Sequence, residues 1–382
     1  MTISSASELA ELAEAREELR AVARDLLGKT RPPAAPAWSV LASSGWLGLE
    51  VPAALDGADA TFAEVAVIAE ELGRAVACVP YLGAAILGTG TLRELEPVQD
   101  TDDLLRQAAA GLALPVAVLS DGTPTTSPAT ADGVPFWLAK TPGGGVRLHG
   151  QAAFVPDAAK ASSLLVLARS NDDGAPVIVV TDPRAPGVSI ASQPVVDETR
   201  QLAQVTVEGA EIAPAAICRF AEDPRAAVRR LQDRAAVAVA CDSLGVAEAM
   251  LDATVSYAKV REQFGRPIGS FQAVKHACAD MLVKVTVSRQ LITTAVTALA
   301  AAAPSSASSA SASSAATTVA AMAKSYASDA AVEVAGKAMQ LHGGIGYTWE
   351  SGIHRYLKRA SLNRALFGSP ESHRRRLSTR YR

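Results

Sequence analysis

The sequence predicts an α+β fold with a helical N-terminal domain, a small central β domain of barrel or sandwich type, and a C-terminal four-helix bundle. Three observations carry this expectation. Apolar residues recur at helical spacing towards both ends of the chain, while the middle switches to short valine-rich runs punctuated by Gly, Pro and Asp. Alanine supplies much of a 49% hydrophobic content in which aromatics are only 4%, a balance that suits close-packed helices. The 382 residues suffice for two or three domains, with boundaries expected at 1–112, 113–222 and 223–382. Helices and strands that are grouped rather than alternating define the α+β class.

From the N-terminus, Ala6 to Leu27 carries Leu9, Leu12, Leu19, Val22, Leu26 and Leu27 at near-helical spacing, and Thr30 to Pro36 breaks that helix. Gly45-Trp46-Leu47-Gly48-Leu49-Glu50-Val51-Pro52 is a turn-rich connection. Thr61 to Ala77 resumes the helical period, with Glu64, Glu70 and Glu71 on its polar side. In the middle domain Leu164 to Ala168, Val177 to Val180 and Val205 to Val207 predict buried strands. Between them lie the turn signals Gly143-Gly144-Gly145, Asn171-Asp172-Asp173-Gly174 and Pro186-Gly187. In the last domain one long helix runs from about Ala226 to Val260 and a second from about Phe271 to Ala302. A third spans Ala315 to Leu341, and a fourth begins near Ser351. Pro304 to Ser314 has the Ala/Ser composition of an exposed, mobile connection.

Charge and cysteine usage narrow the function classes. A formal net charge of −3 gives no whole-chain attraction to nucleic acid or to a membrane surface. The basic residues His373 to Arg376, Arg380 and Arg382 read as a short solvated tail or an anion contact. Cys78, Cys218, Cys241 and Cys278 lack metal-ligand spacing, so buried reduced thiols in a cytoplasmic protein, and no metal site, are expected. Met1 to Leu12 has no apolar core of an export signal, and no stretch predicts a membrane-spanning helix.

Two motifs carry chemistry. The first is Arg261-Glu262-Gln263-Phe264-Gly265-Arg266-Pro267-Ile268-Gly269-Ser270-Phe271-Gln272. Its Arg261 offers a planar fork of donors suited to a phosphate pair. Gly265 and Pro267 end the long helix and turn the chain, and Gln272 adds a donor and an acceptor at the next helix start. Such a corner can hold a diphosphate, and a plain helix corner is the alternative. The second motif is Gln340-Leu341-His342-Gly343-Gly344-Ile345-Gly346-Tyr347-Thr348-Trp349-Glu350. Glycines after a helix permit positive φ and let a ligand approach the backbone, although a helix C-cap explains them equally well. Both elements in this order are far more specific than either alone.

Together these residues resemble the acyl-CoA dehydrogenase family over nearly the whole chain, most strongly from Tyr257 to Asp280. Gly45-Trp46-Leu47-Gly48 with Val51-Pro52, and Glu70-Glu71-Leu72-Gly73-Arg74, are similar to the family's first domain. The second motif followed by His354-Arg355-Tyr356-Leu357-Lys358-Arg359 resembles a bacterial subgroup that includes enzymes acting on sterol side chains and other bulky acyl-CoA esters. The resemblance implies FAD bound across a subunit interface of a homo- or hetero-tetramer. By that implication Arg261, Gln263, Phe264 and Gln272 contact the FAD of a neighbouring subunit, while Gln340, Gly343 and Gly344 hold its adenine-diphosphate part from the partner side. The implied reaction is α,β-desaturation of an acyl-CoA thioester, with electrons passed to an electron-transfer flavoprotein or similar acceptor.

The chain departs from the family where a base is needed. Leu366-Phe367-Gly368-Ser369 matches the segment that usually carries the base, and Phe367 cannot accept a proton. A second known location maps to Ala235. The candidate that remains is Asp242, the lone charged residue of an apolar stretch about two helical turns beyond Ala235. Burial there predicts a raised pKa, which suits a carbon-acid base, and capping of a helix irregularity or pairing with an arginine is the alternative. Glu350 reads as a cap of the next helix, and Glu248 and Asp252 as solvated positions. Arg200, after Asp197-Glu198-Thr199, supports either the β domain or an interface. Where the family's middle domain binds the flavin ring, this chain has Val116-Ala117-Val118-Leu119-Ser120-Asp121-Gly122 and Phe154-Val155-Pro156-Asp157, with few polar groups. Small residues Ala238, Ala240 and Ser243 suggest room for a bulky acyl group. Three functions are therefore expected in order: a dehydrogenase chain, alone or as one subunit of a mixed tetramer; a non-catalytic partner completing a sister chain's flavin site; and a flavin-dependent oxygenase on the same fold.

Overall fold

The computed structural model describes residues 6–29, 36–119, 133–302 and 310–379. Helices α1 (Ala6–Gly28), α2 (Trp38–Ser43) and α3 (Phe62–Arg74) come first, then a π-helix at Tyr81–Gly88, α4 (Thr89–Arg93) and α5 (Gln99–Ala109). The strands are β1 (Pro115–Val118), β2 (Phe136–Lys140), β3 (Val146–Pro156), β4 (Ser163–Arg169), β5 (Pro176–Thr181), β6 (Val188–Gln193), β7 (Leu202–Ile212) and β8 (Ile217–Cys218). They form one mixed sheet in the order β6-β7-β3-β2-β4-β5-β8, with β1 added parallel to β4. Then follow α6 (Pro224–Val260), a hairpin of β9 (Glu262–Gln263) and β10 (Arg266–Pro267), α7 (Gln272–Ala301), α8 (Ala310–Leu341), α9 (Ile353–Ala365) and α10 (Pro370–Ser378). The architecture is α+β, with helices on both sides of a β domain that has its own apolar cluster.

Local chemistry sets the helix starts. Thr61 and Glu64 form a reciprocal capping box on α3, the Thr61 N–H donating to Glu64 Oε2 at 2.8 Å. Asp223 accepts from Ala226 N–H at 3.0 Å, and Pro224 occupies the first turn of α6. Helix α8 starts at Ala310, earlier than the Ala315 expected, because alanine and its neighbours support helix there. The remainder of the predicted connection, Pro304 to Ser309, lies outside the described residues, as do Arg380 and Arg382.

Helix α3 differs from the amphipathic expectation. Glu70 and Glu71 are buried rather than solvated. Arg20 reaches Glu70 at 2.6 Å, Arg24 reaches Glu71 at 2.7 Å, and Arg289 on α7 reaches Glu70 at 2.6 Å. Two acids on a helix face thus become the hub that ties α1, α3 and α7 together, because each gains charge-assisted partners that replace water. Glu248 joins the same network through Arg289, and Asp252 pairs with Arg74 at 2.5 Å.

Glycine makes the crossing of α3 over α6 possible. A Cβ at Gly245 would lie 1.9 Å from the Glu70 carbonyl oxygen, and one at Gly73 would lie 2.1 Å from the Asp242 carbonyl oxygen. The two backbones therefore touch where the N-terminal domain docks, beside Asp242. Gly245→Ala is expected to destabilise by at least about 1–3 kcal/mol through overpacking. Gly336→Ala on α8, where nothing lies within 4 Å of the new Cβ, is expected to be neutral or stabilising by up to about 1 kcal/mol. Urea unfolding of both variants checks the contrast.

Candidate functional site

The Arg261 motif folds as a projecting hairpin. Helix α6 ends at Val260, and Arg261 caps it, its N–H donating to the Tyr257 carbonyl at 2.8 Å. Gln263 pairs with Arg266 across the turn. The turn residues Phe264 and Gly265 have φ of 54° and 73°, the left-handed pair that a two-residue hairpin turn requires. A phenylalanine seldom adopts that conformation, and here its ring is 92% exposed. Phe264 meets only the edge of Phe271, at 6.1 Å between centroids, while the Arg266 guanidinium lies 4.1 Å over the Phe271 ring. Arg261 and Gln263 are exposed, as is Gln272 at the start of α7. The hairpin is thus built to present side chains outward, and its apolar tip is left uncovered.

The second motif lies beside it in the same chain. Helix α8 ends at Leu341, and Gly343 to Tyr347 form a 3-10 turn whose first residue has φ of 61°. Gly343 and Gly344 are exposed, and a Cβ on either would meet nothing within 4 Å. Gln340 is exposed and accepts from Lys337 Nζ at 3.0 Å. Tyr257, just before the hairpin, stacks on His342 at 4.4 Å between centroids. That stack brings the root of the hairpin and the root of the glycine turn together within one protomer. Glu350 caps nothing: α9 starts after Gly352 at φ of 68°, with Ser351 Oγ accepting from Ile353 N–H at 3.4 Å.

Asp242 overturns the expectation of a raised pKa. Burial pushes its carboxyl up, but Arg359 and Arg200 outweigh that cost, and its pKa falls to about 2. Arg359 on α9 grips it with two bonds, Nε to Oδ1 at 2.9 Å and Nη2 to Oδ2 at 2.8 Å. Arg200, from the loop before β7, reaches Oδ2 at 2.9 Å, and Asn363 Nδ2 donates to Oδ1 at 2.6 Å. Arg359 also donates to Thr199 Oγ1 at 2.8 Å, and Asp197 fixes Thr199 by accepting from its N–H at 2.9 Å. The arginine alternative therefore describes Asp242, and Arg200 serves a junction of domains rather than the β domain alone.

Burial raises other acids, Asp233 and Glu248 among them, and Asp157 as well. Asp157, at the end of β3, is pushed up to about 6 by burial, with one opposing bond from the Gly83 N–H at 2.9 Å. Its backbone is left-handed, and it clasps the π-helix so closely that a Cβ on Gly83 would lie 2.4 Å from the Pro156 carbonyl oxygen. Nothing in the sequence points to Asp157, because its partner is 74 residues away and its environment is purely tertiary. Arg200 and Val79 wall two small cavities, one of about 20 Å³ beside Asp242 and Tyr81, the other of about 10 Å³ beside Asp157 and Lys160. The cavity beside Ala238, at about 20 Å³, has room for a water or two.

The two positions at which the resemblance implies a base are buried. Ala235 and Phe367 both pack in the main apolar core. Phe367 has φ of 54°, and its turn is held from two sides. Lys324 Nζ donates to the carbonyls of Asn363 and Gly368, both at 2.9 Å, and His373 Nε2 lies 3.0 Å from the Phe367 carbonyl. Burial lowers Lys324 to about 7 and His373 to about 4. Ser120 to Gly122 lie outside the described residues. Phe154 is 39% exposed, and its N–H is taken by Gln193 Oε1 at 2.5 Å. No group of three or more His, Cys, Asp or Glu among the described residues could hold a metal ion, and no helix there is long and apolar enough to cross a membrane.

Comparison with known proteins fits this layout. A family model described as "Acyl-CoA dehydrogenase, N-terminal domain" matches residues 8–94, and one described as "Acyl-CoA dehydrogenase, C-terminal domain" matches residues 225–381. The acyl-CoA dehydrogenase IpdE2 of Mycobacterium tuberculosis is 31% identical over 382 residues, covering 96% of this chain and 97% of that protein. A solved structure of a variant of the Tcur3481-Tcur3483 steroid ACAD is 28% identical, with a TM-score of 0.80 over 96% of this chain and 98% of that one. The ChsE4-ChsE5 complex from Mycobacterium tuberculosis shares the fold, with a TM-score of 0.81 over 96% of this chain and 97% of that one at 24% identity. The chain belongs to the acyl-CoA dehydrogenase family, oxidoreductases that act on CH–CH bonds.

Asp242 and Asp157 give opposite pH signatures. Asp242 is held below its ordinary value of about 4, so its stabilisation is present above that pH and is lost as pH falls towards about 2. Asp242→Asn should cost about 3–5 kcal/mol at neutral pH, because it leaves buried guanidiniums without their counter-charge. Asp157 is held above its ordinary value, so its stabilisation is lost as pH rises from about 4 through about 6. Asp157→Asn should therefore be more stable than the parent by about 2 kcal/mol at pH 7.5, with the difference vanishing near pH 4. Urea unfolding across this pH range measures both signs.

Proposed function

We propose that this chain is one subunit of a mixed acyl-CoA dehydrogenase assembly: it holds part of an FAD, and a sister chain supplies the proton-abstracting base and the acyl pocket. FAD is the cofactor the family implies, and the residues present fit its diphosphate half. Arg261 stands exposed beside a hairpin tip, and Gly343 and Gly344 leave backbone open to close approach. They do not fit the flavin ring equally well, since Phe154 to Asp157 offers it no hydroxyl. Bound FAD supplies the hydride acceptor for α,β-desaturation of the thioester. In this chain Arg261 would neutralise the diphosphate, Gln263, Gln272 and Gln340 would orient it, and Phe264 would cover an apolar part of the dinucleotide.

The observation that carries the proposal is the state of the three base positions. Phe367 and Ala235 are buried apolar residues, and Asp242 is an ionised carboxylate engaged by Arg359, Arg200 and Asn363. A carboxylate held at about 2 is too weak a base for a carbon acid, and its oxygens are already occupied. We therefore assign Asp242 a structural role. The small cavity beside it supports placing the acyl group in the sister chain. A bulky, steroid-like acyl group agrees with the steroid ACAD among the similar structures.

The chain purified alone should be colourless. Co-purified with a sister acyl-CoA dehydrogenase chain from its host, it should be yellow and bleach with a suitable acyl-CoA. Arg261→Ala should lower the flavin content of that assembly several-fold at unchanged subunit ratio. A yellow isolated chain that acyl-CoA bleaches would defeat the proposal, and loss of that bleaching in an Asp242→Asn chain that still folds and holds flavin would restore Asp242 as the base.

A further inference from the structure

Between the hairpin and the glycine turn lies a ring pair that belongs to neither. Tyr257 is in the last turns of α6, ahead of the Arg261 cap, and His342 directly follows α8. Their rings stack with planes 21° apart, and Tyr257 Oη lies 3.5 Å from the His342 carbonyl, at the limit of a hydrogen bond. His342 is buried and fixed from below, its N–H donating to the Ala338 carbonyl at 3.0 Å and its Nδ1 lying 2.8 Å from the same oxygen. That contact assigns the proton to Nδ1, since a carbonyl can only accept. The glycine turn is wound onto the same residue. A Cβ on Gly346 would come within 3.2 Å of His342 Cβ and 2.4 Å of the Met339 carbonyl oxygen.

Arg261 N–H bonds the Tyr257 carbonyl of α6, and Ile268 N–H closes the base of the hairpin on the Arg261 carbonyl, each at 2.8 Å. Its Gln263 and Phe264 are exposed, as are Gly343, Gly344 and Ile345 of the turn. A dinucleotide that must touch both elements gains affinity only if their separation is already set, because ordering them on binding costs free energy. A rigid ring stack at the root of each is a means of setting it.

We propose that Tyr257 and His342 are positioning residues: their stack fixes the spacing between the Arg261 hairpin and the Gly343 turn so that both engage one dinucleotide. This rests on the FAD reading above. Tyr257→Phe keeps the ring and loses only the weak hydroxyl contact, whereas Tyr257→Leu and His342→Ala remove the stack.

The test uses the assembly co-purified from the host, stripped of flavin and titrated with FAD while flavin fluorescence is followed. Tyr257→Leu and His342→Ala should raise the FAD dissociation constant about three- to tenfold, the range expected from loss of one aromatic stack. Tyr257→Phe should stay within about twofold of the parent, and the KM for acyl-CoA should not move. In the full-length chain alone, amide exchange at Gly343 to Thr348 should quicken in Tyr257→Leu and stay at the parent rate in Tyr257→Phe. If His342→Ala does not fold, the two Tyr257 variants carry the test. Parent-like FAD affinity and exchange in Tyr257→Leu would overturn the proposal. If Arg261→Ala weakens FAD while Tyr257→Leu does not, the positioning role falls and the FAD reading stands. If the parent assembly takes up no FAD, both fall.

Discussion

The buried carboxylate of Asp242, gripped by Arg359 and Arg200, is the interaction on which the rest of the molecule turns. It joins α6, α9 and the loop leading into β7, so two domains meet at one charged point, and the third docks against its backbone at Gly73. Burying an ion pair is costly, and this one is tolerable because the carboxylate is met by two guanidiniums and an amide at once. The satisfaction is incomplete elsewhere in the cluster. Arg200 Nε, Asp197 Oδ2 and Asn363 Oδ1 are buried without hydrogen-bond partners. Removing one partner of such a cluster strands a buried charge, whereas an apolar replacement of the whole could pack as well.

That junction reaches the surface through the helices themselves. Helix α6 runs from the Asp242 pair to the Arg261 hairpin, and α9, which carries Arg359, begins just past the glycine turn. The pair and the Tyr257–His342 stack are therefore two fastenings between the same two regions, one deep and ionic, one shallow and aromatic. A rigid interior with a projecting, uncovered hairpin is the arrangement of a chain that offers a prepared surface to something outside itself. The exposed Phe264 ring, held in a left-handed turn, is hard to account for in any other way.

Much of the fold is legible in the sequence because it rests on periodicity. The grouped helices and strands, the long α6 and α7, and the glycine turn after α8 follow from spacing and from Gly and Pro placement. What periodicity cannot supply is the partner of each buried charge. Asp242 is visible as an acid in an apolar helix, and desolvation alone argues for a raised pKa. Its sign is reversed by Arg200 and Arg359, which lie 42 residues before and 117 residues after it in the chain. Glu70 and Glu71 look solvated in the sequence for the same reason, because their arginines come from α1 and α7. Asp157 leaves no local signal, since its environment is made by the π-helix of another domain.

The contrast between the two acids bears on how a family fold can lose one role and keep another. At Asp242 two arginines hold a buried carboxylate ionised at neutral pH, which is the opposite of the treatment a carbon-acid base requires. At Phe367 the turn that would present a base keeps its left-handed geometry and its supports, Lys324 and His373, but carries an apolar side chain that fills the core. On the proposed reading, the scaffold for presenting a proton acceptor persists here without the acceptor. The surface elements show no such loss: Arg261 remains exposed and the glycines remain open. An outward-facing cation beside an open glycine turn is physically suited to the proposed role of completing a site shared with a sister chain.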